Sequence, residues 1–437
     1  MARDRLFSPR RNRRRLWLWL LLLGAVPAIL FARPRTQPRA PRREVEVVRE
    51  VTFADRHVPP APAVTAASAI LVDADTGTIL FQRDPHARRP MASTTKIMTA
   101  ILALEHAKMD DWVVASKHAS ETPYTGLYLK EGEKLTVRDI LWAILLRSAN
   151  DACVAMAEKV AGSEPAFIDM MNAKAREMGL KDTCYMNPHG LNAEGHYSSA
   201  YDLAQLTRYG MQYPLFAEMV SRKRKRIDRS IEKQDSVVIN KNRLLFRWDA
   251  VDGVKTGYTK QAGHCLVASA SEGGWRLIAV VLKSANSWDD CKALLQYGFK
   301  QYQHVIIAKK GDPVASVRVP NGEKQEIQAL ALKEIAVVAP RGVPAGVHTQ
   351  VEPGTARAPL FRGDSLGLLV ATRNGAEVGR SLLLASEPVA EAPRHLLSRF
   401  LLLGFYGVAG LLALATIARY GRKAAQGSGR RRRRFPS

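Results

Sequence analysis

Residues 91–99, MASTTKIMT, contain the pattern on which the fold and the chemistry of this chain depend. Ser93 and Lys96 are three positions apart at the predicted start of a helix, so their side chains are expected on one helical face, one turn apart. A lysine that has lost its proton can take the proton from such a serine and make its oxygen a nucleophile. The spacing alone is common, because a serine that caps a helix and a surface lysine produce it as well.

Two more polar elements follow in order along the chain. Residues 148–150, SAN, interrupt a largely apolar helical stretch at 137–160 and offer a second hydroxyl and an amide. Residues 255–257, KTG, add a cation and a hydroxyl at the predicted start of a strand, where a glycine lets a ligand lie close to the backbone. Each element alone is compatible with a helix cap or a surface turn. In this order, however, SxxK, SxN and KTG form the acyl-transfer set of penicillin-interacting serine enzymes.

The pattern around these elements predicts an α+β fold. Apolar runs on either side of residues 75–77 predict a β-hairpin over 67–82, and two further strands are predicted at 265–271 and 275–282. Helices are predicted at 93–107, at 137–160 with a break at 147–151, at 165–178 and at 289–299. Strands at both ends with helices between them indicate an antiparallel sheet covered by helices. Beyond residue 303, short β-like runs at 314–319, 335–338 and 366–371 predict a small all-β domain.

From residue 67 to residue 302 the chain resembles the D-alanyl-D-alanine carboxypeptidases of the low-molecular-mass penicillin-binding protein family. The matching stretches are 91–99 (MASTTKIMT), 147–152 (RSANDA), 187–191 (NPHGL), 197–203 (YSSAYDL) and 252–270 (DGVKTGYTKQAGHCLVASA). The resemblance implies a penicillin-recognising, β-lactamase-like domain over residues 65–302 and the family's β-rich domain over 303–388. It also implies an enzyme that removes the terminal D-Ala from peptidoglycan pentapeptide stems, binds penicillin covalently and takes part in cell-wall biogenesis.

The resemblance also assigns roles to individual residues. Ser93 is the expected nucleophile and Lys96 its base, while Ser148 is expected to protonate the leaving group and Asn150 to orient Lys96 and the substrate amide. The expected substrate-binding residues are Lys255, Thr256, Gly257 and Tyr258, and the backbone N–H groups of Ser93 and Tyr258 are expected to form the oxyanion hole. No metal or organic cofactor is expected.

A repeated Ser-Ala-Asn element and a missing arginine affect the assignment of these catalytic and substrate-binding residues. A second Ser-Ala-Asn occurs at residues 284–286, but it follows KTG at the end of a predicted strand, so the catalytic role goes to Ser148 and Asn150. The family often carries an arginine near residues 281–290 that helps to hold the terminal carboxylate of the substrate, and here that stretch has none. Lys283 is a point charge that cannot form the same bidentate pair.

Two alternative functions remain compatible with the fold. A β-lactamase shares the three elements, but the class A enzymes have SDN and a dedicated glutamate for deacylation, whereas this chain has SAN. A catalytically silent wall-binding protein would keep the fold without the chemistry. Because the polar residues of all three elements are intact, the carboxypeptidase is the favoured reading of the sequence.

Charge is concentrated at the two ends of the chain. Of the net charge of +24, residues 1–43 contribute 12 arginines against one acid, and residues 394–437 contribute ten cations without an acid. The near-neutral middle predicts no surface that follows nucleic-acid phosphates. The cysteines at 153, 184, 265 and 291 have no CxxC spacing, so they are expected to be buried and inert, with a disulfide left open for an exported protein.

Both basic ends adjoin a membrane-length apolar run. Residues 1–32 are predicted to be an export signal or an uncleaved anchor, residues 33–64 a Pro/Arg-rich linker, and residues 400–418 a transmembrane helix with a basic cytoplasmic tail at 419–437. The excess of arginine beside both runs places the ends in the cytoplasm. We therefore expect the enzyme in the bacterial cytoplasmic membrane, with its catalytic domain on the extracytoplasmic side.

Overall fold

A computed structural model describes residues 60–430 of the chain. The predicted signal segment at 1–32, most of the predicted linker at 33–64, and residues 431–437 of the predicted basic tail lie outside the described residues. Strands and helices are numbered in chain order.

A five-stranded antiparallel sheet with the order β2-β1-β9-β8-β7 forms the centre of the N-terminal part. Its strands are β1 (Ser68–Asp73), β2 (Ile79–Arg83), β7 (Val251–Thr259), β8 (Gly263–Glu272) and β9 (Trp275–Ser284). The first and last of these in sequence, β1 and β9, pair side by side from Ser68↔Leu282 to Asp73↔Leu277. The two ends of the domain therefore meet in the middle of the sheet, as the predicted strand positions require.

Helices cover both faces of this sheet. Successive strand residues point to opposite faces, so Ile70 and Val72 pack into one apolar cluster while Ala69 and Leu71 pack into another. The helices are α1 (Lys96–His106), α2 (Lys117–Ser120), α3 (Val137–Trp142), α4 (Asn150–Ala161), α5 (Glu164–Glu177), α6 (Ala200–Gly210), α7 (Pro214–Ser221), α8 (Leu244–Arg247) and α9 (Ser287–Gln301). Burial of both faces explains why β1 and β9 are apolar without a two-residue alternation.

The predicted break in the long helical stretch is a backbone turn that contains Ser148. Helix α3 continues as a π-helical turn at Ala143–Arg147, and Ser148 then takes a left-handed conformation with φ 66° before α4 begins. A left-handed backbone costs a non-glycine residue about 1–2 kcal/mol, and such strain is concentrated at functional sites.

Two short hairpins flank the helical half of the domain. Strands β3 (Trp112–Val114) and β4 (Lys134–Thr136) form one, and β5 (Arg224–Arg226) and β6 (Val237–Ile239) form the other. Neither hairpin is predicted by the sequence pattern, and neither are α6 and α7. The predicted start of a strand at Lys255 is also wrong, because β7 begins four residues earlier at Val251.

The C-terminal part is an all-β domain followed by one long helix. Its strands are β10 (Tyr302–Ala308), β11 (Pro313–Arg318), β12 (Glu326–Ala331), β13 (Ile335–Pro340), β14 (Val347–Pro353), β15 (Ser365–Arg373) and β16 (Ala376–Ala385). They form a two-stranded sheet, β10-β13, and a five-stranded sheet, β11-β12-β16-β15-β14. Helix α10 (Pro393–Arg430) contains Phe400–Tyr420, which is long and apolar enough to cross a membrane and is entirely exposed. The predicted α+β fold with an all-β C-terminal domain is confirmed.

Candidate active site

Ser93 and Lys96 meet at the start of α1, as their spacing predicts. A 3₁₀ turn at Ala92–Thr95 leads into the helix, and Lys96 Nζ lies 3.0 Å from Ser93 Oγ. The amine also donates to Asn150 Oδ1 at 2.8 Å and to the carbonyl oxygen of His189 at 2.5 Å. The lysine is fully buried, and this burial lowers its pKa to about 8. A usable fraction of the amine is therefore neutral at physiological pH and can accept the serine proton.

Asn150 is held on both sides by the chain that precedes α3. Its Nδ2 donates to the carbonyl oxygen of Pro123 at 2.9 Å, and its backbone N–H donates to that of Thr125 at 2.7 Å. The side-chain oxygen is left pointing at Lys96 Nζ. These bonds fix which end of the amide faces the lysine, so Asn150 is placed to position the base.

Ser148 and Lys255 form a second hydroxyl–amine pair. Lys255 Nζ lies 3.1 Å from Ser148 Oγ and 3.1 Å from the carbonyl oxygen of Thr256. Burial lowers the pKa of Lys255 well below its ordinary value, and the charge of Lys96 lowers it further. A proton on one of these two amines therefore disfavours a proton on the other.

Strand β7 runs so close to the start of α1 that a side chain at position 257 would crowd the turn that carries Ser93. A Cβ added to Gly257 would lie 3.0 Å from the backbone nitrogen of Ser93 and 3.1 Å from the carbonyl oxygen of Met91. This contact brings the KTG element against the nucleophile. On the same strand the side chain of Tyr258 is 62% exposed and its ring packs against that of His264, with centroids 4.6 Å apart.

The loop at residues 187–191, NPHGL, supplies an acceptor that the sequence analysis did not assign. Asn187 Oδ1 accepts hydrogen bonds from the backbone N–H groups of His189 at 3.3 Å and Gly190 at 2.6 Å. This turn directs the carbonyl oxygen of His189 toward Lys96 Nζ. The Asn, Pro and Gly of the motif are a turn signal, but nothing in the residue types announces a backbone carbonyl as a lysine ligand.

The same loop packs directly on the first turn of α1. Thr99 Oγ1 donates to the carbonyl oxygen of Pro188 at 2.5 Å. Gly190 has φ 90°, and a Cβ there would lie 2.0 Å from the carbonyl oxygen of Ala92. Position 190 therefore requires glycine both for its conformation and for the close approach.

The two histidines near Lys96 are neutral at physiological pH. Burial, followed by the charge of Lys96, lowers the pKa of His189 to about 3 and that of His196 to about 4. His196 Nδ1 accepts from the backbone N–H of Met186 at 3.0 Å, and its Nε2 lies 2.8 Å from Thr95 Oγ1. Their bonds are those of structural groups, which leaves Lys96 as the base beside Ser93.

Asp151, directly after the SAN element, holds the loop on which Asn150 depends. Its carboxylate accepts from the backbone N–H groups of Leu127 at 2.9 Å, Leu129 at 2.9 Å and Ala152 at 2.8 Å. A Cβ on Gly126 would lie 2.9 Å from this carboxylate. Asp151 lies within the motif RSANDA, but the sequence does not predict this role for it.

The second Ser-Ala-Asn belongs to the start of α9. Asn286 Nδ2 donates to Asp289 Oδ2, and Ser284 Oγ donates to Asp290 Oδ2 at 2.6 Å. Lys283, in the stretch where the family often carries an arginine, is exposed and lies beside Gly263. Among the described residues, neither the hydroxyl nor the amide of this element makes a hydrogen bond with Lys96 or Lys255.

One group of metal-type ligand atoms is found in the described part of the chain, outside the active site. Oxygen or nitrogen atoms of Asp73, Asp75 and His304 lie within 4.8 Å of one another. The oxygens of Asp73 already accept from Thr76 and from the indole N–H of Trp275. This group bridges the turn after β1 and strand β10, and it is remote in sequence from the three motifs.

The four cysteines are free thiols. Cys153, Cys265 and Cys291 are buried, whereas Cys184 is half-buried. Burial raises the pKa of Cys153, which lies on α4, to about 12. Such a thiol is not a nucleophile at neutral pH.

Comparison with known proteins gives matches over almost the whole described chain. Residues 55–286 match the family described as D-alanyl-D-alanine carboxypeptidase, and residues 302–391 match the family described as penicillin-binding protein 5, C-terminal domain. The chain is 36% identical to the D-alanyl-D-alanine carboxypeptidase DacF of Bacillus subtilis over 337 residues, which is 75% of this chain and 86% of that protein. It is 34% identical to the D-alanyl-D-alanine carboxypeptidase DacC of Escherichia coli over 357 residues, or 78% and 88% of the two chains.

Solved structures agree with these sequence matches. Penicillin-binding protein 5 of Haemophilus influenzae has a TM-score of 0.62 at 29% identity and covers 76% of this chain and all of its own. Penicillin-binding protein 6B of Escherichia coli has a TM-score of 0.59 at 30% identity and covers 76% of this chain and 98% of its own.

The fold, with a serine–lysine pair at a helix start beside an edge strand, defines a penicillin-recognising serine enzyme. The chain belongs to the D-alanyl-D-alanine carboxypeptidase family. It is a serine-type carboxypeptidase and thus a hydrolase, and the resemblance seen in the sequence is confirmed.

Proposed function

We propose that the enzyme removes the terminal D-Ala of peptidoglycan stems by acyl transfer to Ser93, with Lys96 as the base. The observation that carries this proposal is the 3.0 Å contact between Lys96 Nζ and Ser93 Oγ, made by an amine whose pKa is lowered to about 8. The buried acceptors around the amine hold it in place without giving it a negative partner.

In the first step Lys96 takes the proton of Ser93 as the serine oxygen bonds to the carbonyl carbon of the penultimate D-Ala. The backbone N–H groups of Ser93 and Tyr258 stabilise the negative charge that develops on the carbonyl oxygen. The C–N bond then breaks, and the terminal D-Ala leaves as an amine after Ser148 gives it a proton. Ser148 regains a proton from Lys96, which returns to its neutral form. Lys255, 3.1 Å from Ser148 Oγ, supports this transfer.

In the second step water hydrolyses the acyl-serine ester. Lys96, kept in place by Asn150, again accepts a proton, this time from the water, and the Ser93 hydroxyl is restored. The product is a tetrapeptide stem, which has lost the D-Ala-D-Ala bond needed to donate in cross-linking.

Recognition of the terminal carboxylate is proposed to rest on Lys255 and Thr256. The close approach of Gly257 to Ser93 lets an extended substrate lie along β7 within reach of both. A single lysine charge holds a carboxylate less directionally than a bidentate arginine.

We further propose that the chain is divided as its sequence suggests, with the catalytic domain at 65–302 and the β-rich domain at 303–388, and that both lie outside the cytoplasmic membrane. Helix α10 supports this location, because Phe400–Tyr420 is apolar and fully exposed and basic residues follow it. The partners in this scheme are peptidoglycan stem peptides, β-lactams and the membrane, without nucleic acid.

Labelled penicillin tests the proposed nucleophile. The label should appear on the peptide that contains Ser93 and on no other serine, and Ser93→Ala should abolish both the adduct and the release of D-Ala from a pentapeptide. Lys96→Ala should reduce the rate by about 10²–10⁴. Release of D-Ala by Ser93→Ala at the parental rate would overturn the mechanism, and hydrolysis of the penicilloyl adduct many times per second would support the β-lactamase instead.

A further inference from the structure

The near-neutral middle of the chain contains one strongly basic segment. Residues 222–247 hold ten Lys and Arg against three Asp and Glu, and they include the run RKRKR at 222–226. The segment spans strands β5 and β6 and the turn between them, which together form a two-stranded hairpin. We call residues 224–239 the basic hairpin.

The basic hairpin has one face toward the protein and one toward solvent. On the inner face Val238 is fully buried and Lys225 Nζ lies 5.3 Å from the centre of the Trp142 ring. The neighbouring positions therefore point outward, since strand residues alternate. Cross-strand pairing places Arg224 opposite Ile239 and Arg226 opposite Val237. The outer face thus combines two arginines with two β-branched apolar side chains.

The cations of the outer face have no partners among the residues that the structure describes. Arg222 and Lys223, beside the hairpin, contact Glu218 and Asp249, and the buried Arg229 is paired with Glu133. In contrast, the side chains of Arg224, Arg226 and Lys233 make no hydrogen bond or ion pair with any residue between 60 and 430 that the structure describes. Arg226 and Lys233 also line a cavity of about 230 Å³ together with Ser236.

The apolar side chains among these cations are exposed as well. Ile239 is 58% exposed, Val237 42%, and Ile231, in the turn of the hairpin, 50%. A surface that binds only soluble anions needs cations but gains nothing from exposed aliphatic groups, whereas a membrane interface rewards both. The chain itself carries an exposed apolar helix at Phe400–Tyr420, so a membrane is the surface to which it has access.

We propose that the outer face of the basic hairpin docks on an anionic phospholipid surface as a second membrane contact of the enzyme. Arg224, Arg226 and Lys233 would contact lipid phosphates while Ile231, Val237 and Ile239 enter the interface. The contact lies beside the catalytic cleft, because Asp235 of the hairpin accepts two bonds from Arg147 at 2.8 and 2.7 Å, next to Ser148. Docking therefore holds the mouth of the cleft near the membrane.

Hydrogen exchange of the full chain in lipid nanodiscs tests the proposal. Discs of phosphatidylglycerol and phosphatidylcholine should slow the exchange of the backbone amides at 224–239 relative to discs of phosphatidylcholine alone. Each basic residue near an anionic leaflet changes the docking equilibrium constant about fivefold. The equilibrium constant of the double variant Arg224→Gln, Arg226→Gln for anionic discs should therefore be roughly 25-fold lower than that of the parent. The matched control is Lys309→Gln, Lys310→Gln, which removes two exposed charges from the β-domain and should keep the protection.

A second variant and a fold check separate the possible results. Val237→Ser with Ile239→Ser removes the apolar part and keeps every charge, so it should also reduce the protection. Unchanged penicillin labelling in each variant shows that the domain is folded. The proposal is overturned if the amides at 224–239 exchange equally fast in the two kinds of disc. It is also overturned if soluble polyphosphate protects these amides and anionic discs do not. The hydrogen-exchange readout does not depend on catalysis.

Discussion

Lys96 lies in a cage of acceptors that carry no charge. Its Nζ contacts a hydroxyl, an amide oxygen and a backbone carbonyl oxygen, contributed by Ser93, Asn150 and His189. Burial disfavours the charged form of an amine, and neutral acceptors compensate for this less than a carboxylate would. The cage therefore keeps the pKa of Lys96 low, near 8, while it fixes the direction of the amine.

This pKa predicts the pH dependence of acylation. The protonated amine cannot accept the Ser93 proton, so the rate of penicilloyl formation should rise about tenfold per pH unit below pH 8 and level off above it. Stopped-flow mixing with a chromogenic β-lactam measures this profile. The variant Asn286→Ala should show the same inflection, because Asn286 lies at the start of α9. A flat rate from pH 6 to pH 9 contradicts the assignment of Lys96 as the base.

The two Ser-Ala-Asn elements should differ in their effect on turnover. Asn150→Ala removes an acceptor of Lys96 and frees the loop at Pro123, so both acylation and deacylation should fall on the order of 10²-fold. Asn286→Ala breaks only a bond to Asp289 and should leave turnover nearly unchanged. Release of D-Ala from a pentapeptide measures turnover, and circular dichroism confirms the fold. Equal losses in the two variants would show that the wrong element was chosen.

At this scale the sequence predicts side chains but not backbone groups. The spacing of Ser93 and Lys96, and the order of SxxK, SxN and KTG, identify the residues whose side chains meet in the cleft. The carbonyl oxygens of Pro123 and His189 complete the site, yet every residue has a carbonyl oxygen and the residue type does not reveal which ones bind. Only the folded backbone distinguishes them.

The loop at 187–191 links the catalytic lysine to the packing of neighbouring elements. Gly190→Ala should displace it, because the added Cβ would lie 2.0 Å from the carbonyl oxygen of Ala92. A shift of about 1 Å at a catalytic group costs on the order of 10²-fold in rate, so acylation by penicillin should fall by that amount. Stopped-flow mixing measures the rate of acylation, and thermal unfolding measures the effect of the displaced loop on stability.

Gly195→Ala is the matched control for this variant. Gly195 also has a positive φ, 78°, so alanine there suffers a similar backbone strain of about 1 kcal/mol. Its Cβ would meet nothing closer than Met186 at 3.7 Å, and acylation should stay within about twofold of the parent. If both variants lose acylation equally, the close approach at Ala92 is not the cause.

Strand β7 shows why element boundaries were harder to predict than element types. Residues 252–253, Asp-Gly, have the composition of a turn, and the sequence predicted the start of the strand at Lys255. In the structure Gly253 lies inside the strand, and a Cβ there would come within 2.9 Å of Val220 on α7. The glycine serves helix packing and not a turn. Because Val220 lies 33 positions earlier in the chain, the sequence around Gly253 gives no indication of this contact.

Across the whole molecule the charge distribution predicts a defined topology. Protease added to spheroplasts should digest the catalytic and β domains and spare a tag placed after residue 437, because basic residues follow the apolar part of α10 and each contributes about 1 kcal/mol near an anionic leaflet. Immunoblotting with antibodies to the tag and to the catalytic domain measures both fates. Loss of the tag with survival of the domains would reverse the orientation.

The position of β7 at the edge of its sheet also bears on whether a second copy of the enzyme can add a strand there. An unpaired strand of this kind is a template on which a second chain can add, and proteins often prevent this with proline or a covering segment. Neither protection suits a strand that an extended substrate must reach. An inward-turned lysine is a third means of blocking such addition, and β7 has one in its middle, Lys255, which is buried. We therefore expect the same amine that lies beside Ser148 to discourage the addition of a second chain at this open edge.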